Sequence, residues 1–480
     1  MQIFKETRSI FLKKSSIAIC IWVVWQFLIL WSNSLLWRFL WPTDLGVFSL
    51  INVLVWSIVL IAWLWLSSWI VRYMPLYQEK KNNALAHWYI IFASVMSIIA
   101  SVIGALVLYF FSWSIAQFFW WWAIITYGIQ IAAFLIPIRV LSNLFKHYFL
   151  SQKNIVLYYG NTQILEPIVL AIIIAVGWFF WIDFLWFFAL YIWWLLLILL
   201  FEYWYIRYKY IPVLHKNYTF HITDWLHFSI PLVFWWVTYF FLNRADTVIV
   251  GRFLWTSAVW VYTAAFVIAH LLMVGKSALQ VLFLPTIAQL HAQKNTNQIQ
   301  QLFTTVSGWI FLIMFPLWVI FSVYSKDWIQ LFYWEQFIVW SWVLQILILW
   351  VLLNFTSWLT AALLKLHKKT ITLSMIILIA TICNVLLNLI FVDIYGMLWV
   401  AFWTMLWFIV CNIMLLWHSR AWHNWKFHRR VIIMSIGVSL WVYIWVYLIH
   451  LIRPIHFLVQ VSIFIILYWL FFRKLWIKYI

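Results

Sequence analysis

An all-α polytopic membrane protein is the fold class this sequence predicts. It should carry about fourteen transmembrane helices, as two pseudo-symmetric six-helix bundles followed by two further helices. Three observations predict it. Hydrophobic residues fill 68% of the 480 positions and charged residues only 9%, where a soluble domain carries about 25% charged. The apolar residues fall into runs of the ~20 residues that cross a bilayer as helix, joined by short connections. The chain also repeats itself: residues 37–49 read WRFLWPTDLGVFS and residues 251–263 read GRFLWTSAVWVYT, at a constant offset of 214 positions.

Taken in order, Lys5, Arg8, Lys13 and Lys14 precede an apolar run too long for a signal-peptide core, with no small-residue cleavage site after it. It is expected to be the first span, uncleaved. The candidates centre on residues 15–36, 45–71, 88–111, 115–137, 155–178, 181–201, 225–243, 256–284, 301–324, 337–363, 370–392, 395–417, 431–450 and 454–472. Most Lys and Arg fall before the first span or after even-numbered ones, as with Arg72, Lys80 and Lys81, Arg139, Lys146 and Lys153, and Lys365, Lys368 and Lys369. The positive-inside rule then puts both termini in the cytoplasm of a multi-pass protein of the cell (inner) membrane. A formal charge of +19 would suit nucleic acid in a soluble chain. Here the cations sit in short loops, where they set topology and meet membrane lipid headgroups, so no nucleic-acid partner is expected.

In the repeat, Arg38 lies on Arg252, Phe39 on Phe253, Leu40 on Leu254 and Val47 on Val261. The copies close spans 1 and 7, six spans apart, so they share an orientation. This implies a parallel duplication: residues 1–217 as an N-terminal bundle, 218–428 as a C-terminal bundle, and 429–480 as two additional helices. Such halves enclose a central cavity and open alternately to the two sides.

Trp37 faces Gly251 in the repeat, and Gly46 faces Trp260. Forty-three tryptophans stand against 10 glycines. Together they match roughly the glycine expected of a membrane protein, given ~7% average usage and more in membrane helices. Trp41-Pro42 has the look of a Gly-Pro turn. Trp399, Trp403 and Trp407 recur at i, i+4, i+8, as a small-xxx-small helix face would. Interfacial tryptophan clusters at the membrane boundaries, whereas Trp56, Trp63 and Trp350 fall well within spans. The pattern fits a gene whose UGA codons are read as glycine, with some tryptophans, such as Trp309 beside Gly308, authentic.

Charges at membrane depth are the candidate functional groups, because each costs about 2.5–3.5 kcal/mol at a span centre. Lys276 lies ~12 Å from the cytoplasmic end of span 8, at ~1.5 Å per helical residue. It either snorkels to the interface or presents a cation to the cavity. Arg38 and Arg252 form the repeat-related pair, with Arg244, Asp44 and Asp246 in the same two junctions. They are either local anchors or a basic rim for an anionic headgroup. Glu166 precedes Pro167 in span 5, where freed backbone groups can line a cavity. Glu166 and Asp246 are the candidate ion-coupling carboxylates. His270 reads as a hydrogen-bonded core histidine. No carboxylate pair, metal cluster or phosphate-cradling loop points to catalysis or to a cofactor, so a non-enzyme is expected.

With glycine restored, the repeat reads as a Gly-Arg-Phe-Leu-Gly turn before a Gly-Val-aromatic span start. Residues 38–49 resemble the span 1–2 junction of the bacterial polysaccharide exporters. These are the lipid-linked oligosaccharide flippases of the multidrug/oligosaccharidyl-lipid/polysaccharide superfamily. Arg72-Tyr73-Met74-Pro75-Leu76-Tyr77 is similar to the family's close of span 2. Asn243-Arg244-Ala245-Asp246 through Ala264-Ala265 is similar to its span 7–8 junction, Leu284-Pro285 to its close of span 8, and residues 395–401 to its opening of span 12. The resemblance implies that an undecaprenyl-pyrophosphate-linked oligosaccharide is flipped to the outer leaflet by alternating access. Lys276 would contact pyrophosphate, Arg38, Arg252 and Arg244 would form a rim, and a polysaccharide polymerase machinery would be a partner. A cation-coupled multidrug antiporter and a peptidoglycan-precursor flippase share the superfamily and stay open as alternatives.

Overall fold

The computed structural model describes residues 24–36, 42–63, 66–67, 70–71, 74, 83–119, 123–152, 154–180, 184–209, 222–254, 256–273, 283, 287, 290, 293, 296–333, 335–354, 357–367, 369–420, 429–452 and 455–479. Among these residues every regular element is helical. Seven helices are long and apolar enough to cross a membrane, and five shorter apolar helices of 10–17 residues accompany them. The protein is thus multi-pass. It divides into two compact units, residues 1–263 with 389–396, and residues 264–388 with 397–480.

The first unit contains α1 (Val24–Leu36), α2 (Pro42–Ala62), α3 (Asn83–Phe110), α4 (Ser112–Phe118), α5 (Ala123–Ala133) and α6 (Leu135–Ser151). It continues with α7 (Ile155–Tyr159), a π-helical turn (Gly160–Leu165), α8 (Glu166–Phe180), α9 (Phe184–Lys209), α10 (Ile222–Phe253) and the start of α11 (Thr256–Leu271). Helix α2 opens on Pro42, whose missing N–H is no loss in a first turn, with Asp44 beside the positive end of the helix. The Asn154 side chain caps α7 by accepting the Leu157 N–H at 3.2 Å. Arg207 and Lys209 close α9 where carbonyls accumulate.

Helix α6 is the hub of this unit, packed on α3, α9 and α2. It buries Ile136, Val140, Leu144 and Phe149 together with Arg139 and Lys146. The sequence puts a span at 115–137 and a basic loop after it. The structure instead ends α4 at Phe118 and runs the span from Ile125 to Ser151. Two of the charges expected in that loop, Arg139 and Lys146, have partners inside the unit, so the helix continues through them, while Lys153 lies outside the described residues. Helix α10, which the repeat assigns to the second bundle, packs along α2 within this unit. A Cβ on Gly251 would lie 2.6 Å from Leu50 Cδ2, so glycine is what permits that approach.

The second unit holds the rest of α11, α12 (Thr296–Val323), α13 (Ser325–Phe332), a 3-10 turn (Glu335–Trp340), α14 (Ser341–Leu353) and α15 (Ser357–Leu366). Then come most of α16 (Thr370–Ser419), α17 (Arg429–Ile452) and α18 (Phe457–Tyr479). Helix α12 packs on α14 and α17, and α17 on α18. Tyr468 donates from α18 to the Leu312 carbonyl at 2.9 Å, and Tyr324 to Gln460 Oε1 at 2.7 Å. Such bonds between helices satisfy groups that hydrocarbon cannot. Asn412 of α16 donates to Asn354 Oδ1 and the Leu353 carbonyl, at 3.0 and 3.1 Å, closing the end of α14. The 50-residue α16 is broken at Gly396, whose φ of 65° and ψ of −154° are non-helical. Two expected spans, 370–392 and 395–417, lie on either side of that break.

Candidate functional site

The first unit encloses a charged cluster built from three helices. Arg139 on α6 meets Glu166 at the start of α8, with Nη2 and Oε1 2.6 Å apart. Arg139 Nη2 also donates to Tyr191 Oη of α9 at 2.6 Å, and Tyr191 donates in turn to the same Glu166 oxygen at 2.8 Å. The three groups form a closed triangle with the ion pair along one edge. The Arg139 and Glu166 side chains are 10% and 17% exposed, so the charges are largely removed from solvent. The guanidinium carbon lies 5.4 Å from the centroid of the Trp56 ring of α2.

Two turns farther along α6, Lys146 is buried and interacts electrostatically with Glu202 of α9 and with Glu166. Glu202 is fully buried. Positions 139 and 146 share a face of α6, and 191 and 202 share a face of α9, so the helical periods lay two cations along two anionic or hydroxyl partners. The π-helical turn Gly160–Leu165 ends one residue before Glu166, the first residue of α8. Turns of this kind free backbone groups and gather at functional sites. Chemically, the cluster can hold a proton or exchange its internal ion pair for a bound ion. Among the described residues no group of three His, Cys, Asp or Glu is placed to hold a metal ion.

Among the described residues, the rim and ion-coupling candidates proposed from sequence fall on two helices, Glu166 on α8 and Arg244, Asp246 and Arg252 on α10. Arg38 and Lys276 lie outside the described residues. Arg252 is half-buried at the end of α10, its guanidinium 5.0 Å from the Phe118 ring centroid and 5.7 Å from that of Phe253. Asp246 of α10 is fully buried, accepting hydrogen bonds from the Tyr262 hydroxyl of α11 and, at 2.9 Å, from the Thr247 N–H. It bridges the two helices across the junction, with Arg244 two residues away on α10. Glu166 belongs to the proposed set and forms an ion pair with a buried cation, Arg139. In the second unit His270 Nδ1 lies 3.1 Å from the Phe266 carbonyl, its ring between Phe266 and Trp350. It is half-buried, with a backbone partner one helical turn away.

Sequence alone does not single out this cluster, because Arg139, Lys146 and Glu202 have the charge of loop residues and Tyr191 falls within an apolar run. A signal was available. The apolar pattern of LIPIRVLSNLFKHYFLS continues at helical period through both cations, and their i, i+7 spacing puts them on one buried face.

With this geometry in view, the comparisons with known proteins bear on the fold and the family. A family described as polysaccharide biosynthesis protein matches residues 35–342, more than half of the chain. No curated protein sequence matches. Among solved structures, an inward-facing multidrug resistance MATE family transporter of the MOP superfamily is similar at a TM-score of 0.70 and 15% identity, over 82% of this chain and 94% of that one. The lipid II flippase MurJ in an inward closed conformation is similar at 0.68 and 17%, over 97% and 99%. A MOP superfamily transporter from Pyrococcus furiosus gives 0.60 and 14%, over 85% and 95%. These likenesses carry the fold. The family match carries more: the chain belongs to the polysaccharide biosynthesis protein family, on the fold of the MOP superfamily transporters.

Proposed function

We propose that the protein flips an undecaprenyl-pyrophosphate-linked oligosaccharide from the cytoplasmic to the outer leaflet of the cell membrane, for surface polysaccharide assembly. The family match over residues 35–342 carries this reading. Physically, a sugar chain and a pyrophosphate must cross ~30 Å of hydrocarbon. A polar cavity between two bundles removes most of the desolvation cost while the lipid tail stays in the bilayer. The repeat units 1–217 and 218–428 would alternate in access, with 429–480 appended and both termini cytoplasmic. Lys276 would contact the pyrophosphate, with Arg38, Arg252 and Arg244 at the rim. Glu166, held by Arg139 and Tyr191, would be the coupling carboxylate, and Asp246 a second one bound by Tyr262. A polysaccharide polymerase would receive the product.

The test is reconstitution in proteoliposomes containing a fluorescent prenyl-pyrophosphate oligosaccharide, with leaflet transfer read by quenching. Protein-dependent transfer, lost in Glu166→Gln and reduced in Lys276→Gln, is the expected result. Transfer unchanged in Lys276→Gln removes that residue from the site. Cation-driven drug exchange without glycolipid transfer would replace the reading with the multidrug antiporter.

A further inference from the structure

The tryptophans in the middle of the spans are chemically out of place. An indole N–H buried in hydrocarbon finds no water, so buried tryptophan ordinarily has an acceptor for it. In the second unit the indole nitrogens of Trp318 on α12, Trp350 on α14, and Trp403 and Trp407 on α16 are buried with no hydrogen-bond partner. Trp350 is 1% exposed, wedged between Phe266 at 5.7 Å and Phe408 at 5.0 Å. Trp403 and Trp407 continue the face begun by Trp399, whose ring lies 5.3 Å from that of Trp403. A face with i, i+4, i+8 spacing inside a membrane helix is where small residues let helices approach. The glycines written in the chain show that demand directly. A Cβ on Gly104 would come within 2.5 Å of Ile58 Cγ2, as one on Gly251 would of Leu50. Trp328 also has an orphaned indole nitrogen. Its ring stacks between Phe321 at 4.8 Å and Phe332 at 5.8 Å on the short α13, which is not one of the apolar helices, so it is not in the set.

We infer that Trp318, Trp350, Trp403 and Trp407 are glycine in the protein made by its own cell, through a UGA codon decoded as glycine. Two independent observations carry this. The composition has 43 tryptophans to 10 glycines, and these four side chains lack the acceptor their chemistry requires. One consequence reaches the charged cluster of the first unit. The same decoding at Trp56 removes the ring that covers Arg139.

The experiment is mass spectrometry of the protein purified from the membranes of its own host, with peptides spanning the four positions, read beside the codons of the gene. Glycine at all four positions, each encoded by UGA, is the expected result. Tryptophan at any of them overturns the inference. The readout is residue mass, so it is independent of whether the protein flips a glycolipid. As a second measurement, the version with glycine at all four positions should melt at higher temperature in detergent than the version with four tryptophans. The reverse order would contradict the argument from orphaned indoles.

Discussion

Neutralising either member of the Arg139–Glu166 pair should cost more than neutralising both. With charge centres about 4 Å apart and an effective dielectric of ~20, the pair attracts by roughly 4 kcal/mol. Glu166→Gln leaves the guanidinium nearly as buried as before, with Tyr191 as its polar neighbour and no countercharge on α8. Arg139→Gln leaves the carboxylate in the same position. Breaking a buried pair from one side destabilises by about 3–5 kcal/mol, which agrees with the Coulomb figure. The double variant places two amides at hydrogen-bonding distance and leaves no buried charge between them. Its loss should be no larger than that of either single variant, so the coupling energy reaches the order of 3 kcal/mol. Denaturant titration of the three variants and the parent in detergent, completed as a double-mutant cycle, measures it. If the double variant loses the sum of the two singles to within about 0.5 kcal/mol, the residues are independent. The charged triangle would then be no unit of the fold.

Two further outcomes test the packing around the repeated junctions. Gly251→Ala should destabilise by about 1–3 kcal/mol, because the new methyl meets Leu50 Cδ2 at 2.6 Å. Leu50→Ala in the same background should recover part of the loss, and an unchanged melting temperature in Gly251→Ala would show that α2 and α10 are not in close contact. Tyr262→Phe removes the hydroxyl donated to the buried Asp246 carboxylate and should cost about 1.5–3 kcal/mol, as hydrogen bonds to charged groups do. Loss of that bond should register in the stability of the α10–α11 junction, followed by hydrogen exchange.

Much of this architecture is legible in one dimension, for a physical reason. Hydrocarbon admits only backbones that satisfy themselves, so long apolar runs must be helices whatever surrounds them. The repeat at Arg38 and Arg252, the glycine that breaks α16 at residue 396, and the isolation of Glu166 beside Pro167 are all local or periodic properties of the chain. Composition also shows the anomaly of the tryptophans before any coordinate is known.

The partners of the charges were not legible. Arg139 and Lys146 look like a cytoplasmic loop by composition, and only the packing of α6 between α3 and α9 reveals them as buried cations facing Glu166, Tyr191 and Glu202. Likewise, the repeat period assigns α10 to the second half, while contact with α2 places it in the first compact unit. The sequence alone determined that the chain is a bundle of membrane helices and where most of them run. The tertiary structure alone decided which charges are tolerated inside it. A single buried charge is prohibitive and a paired one is not, and pairing depends on residues that the chain brings together from distant positions.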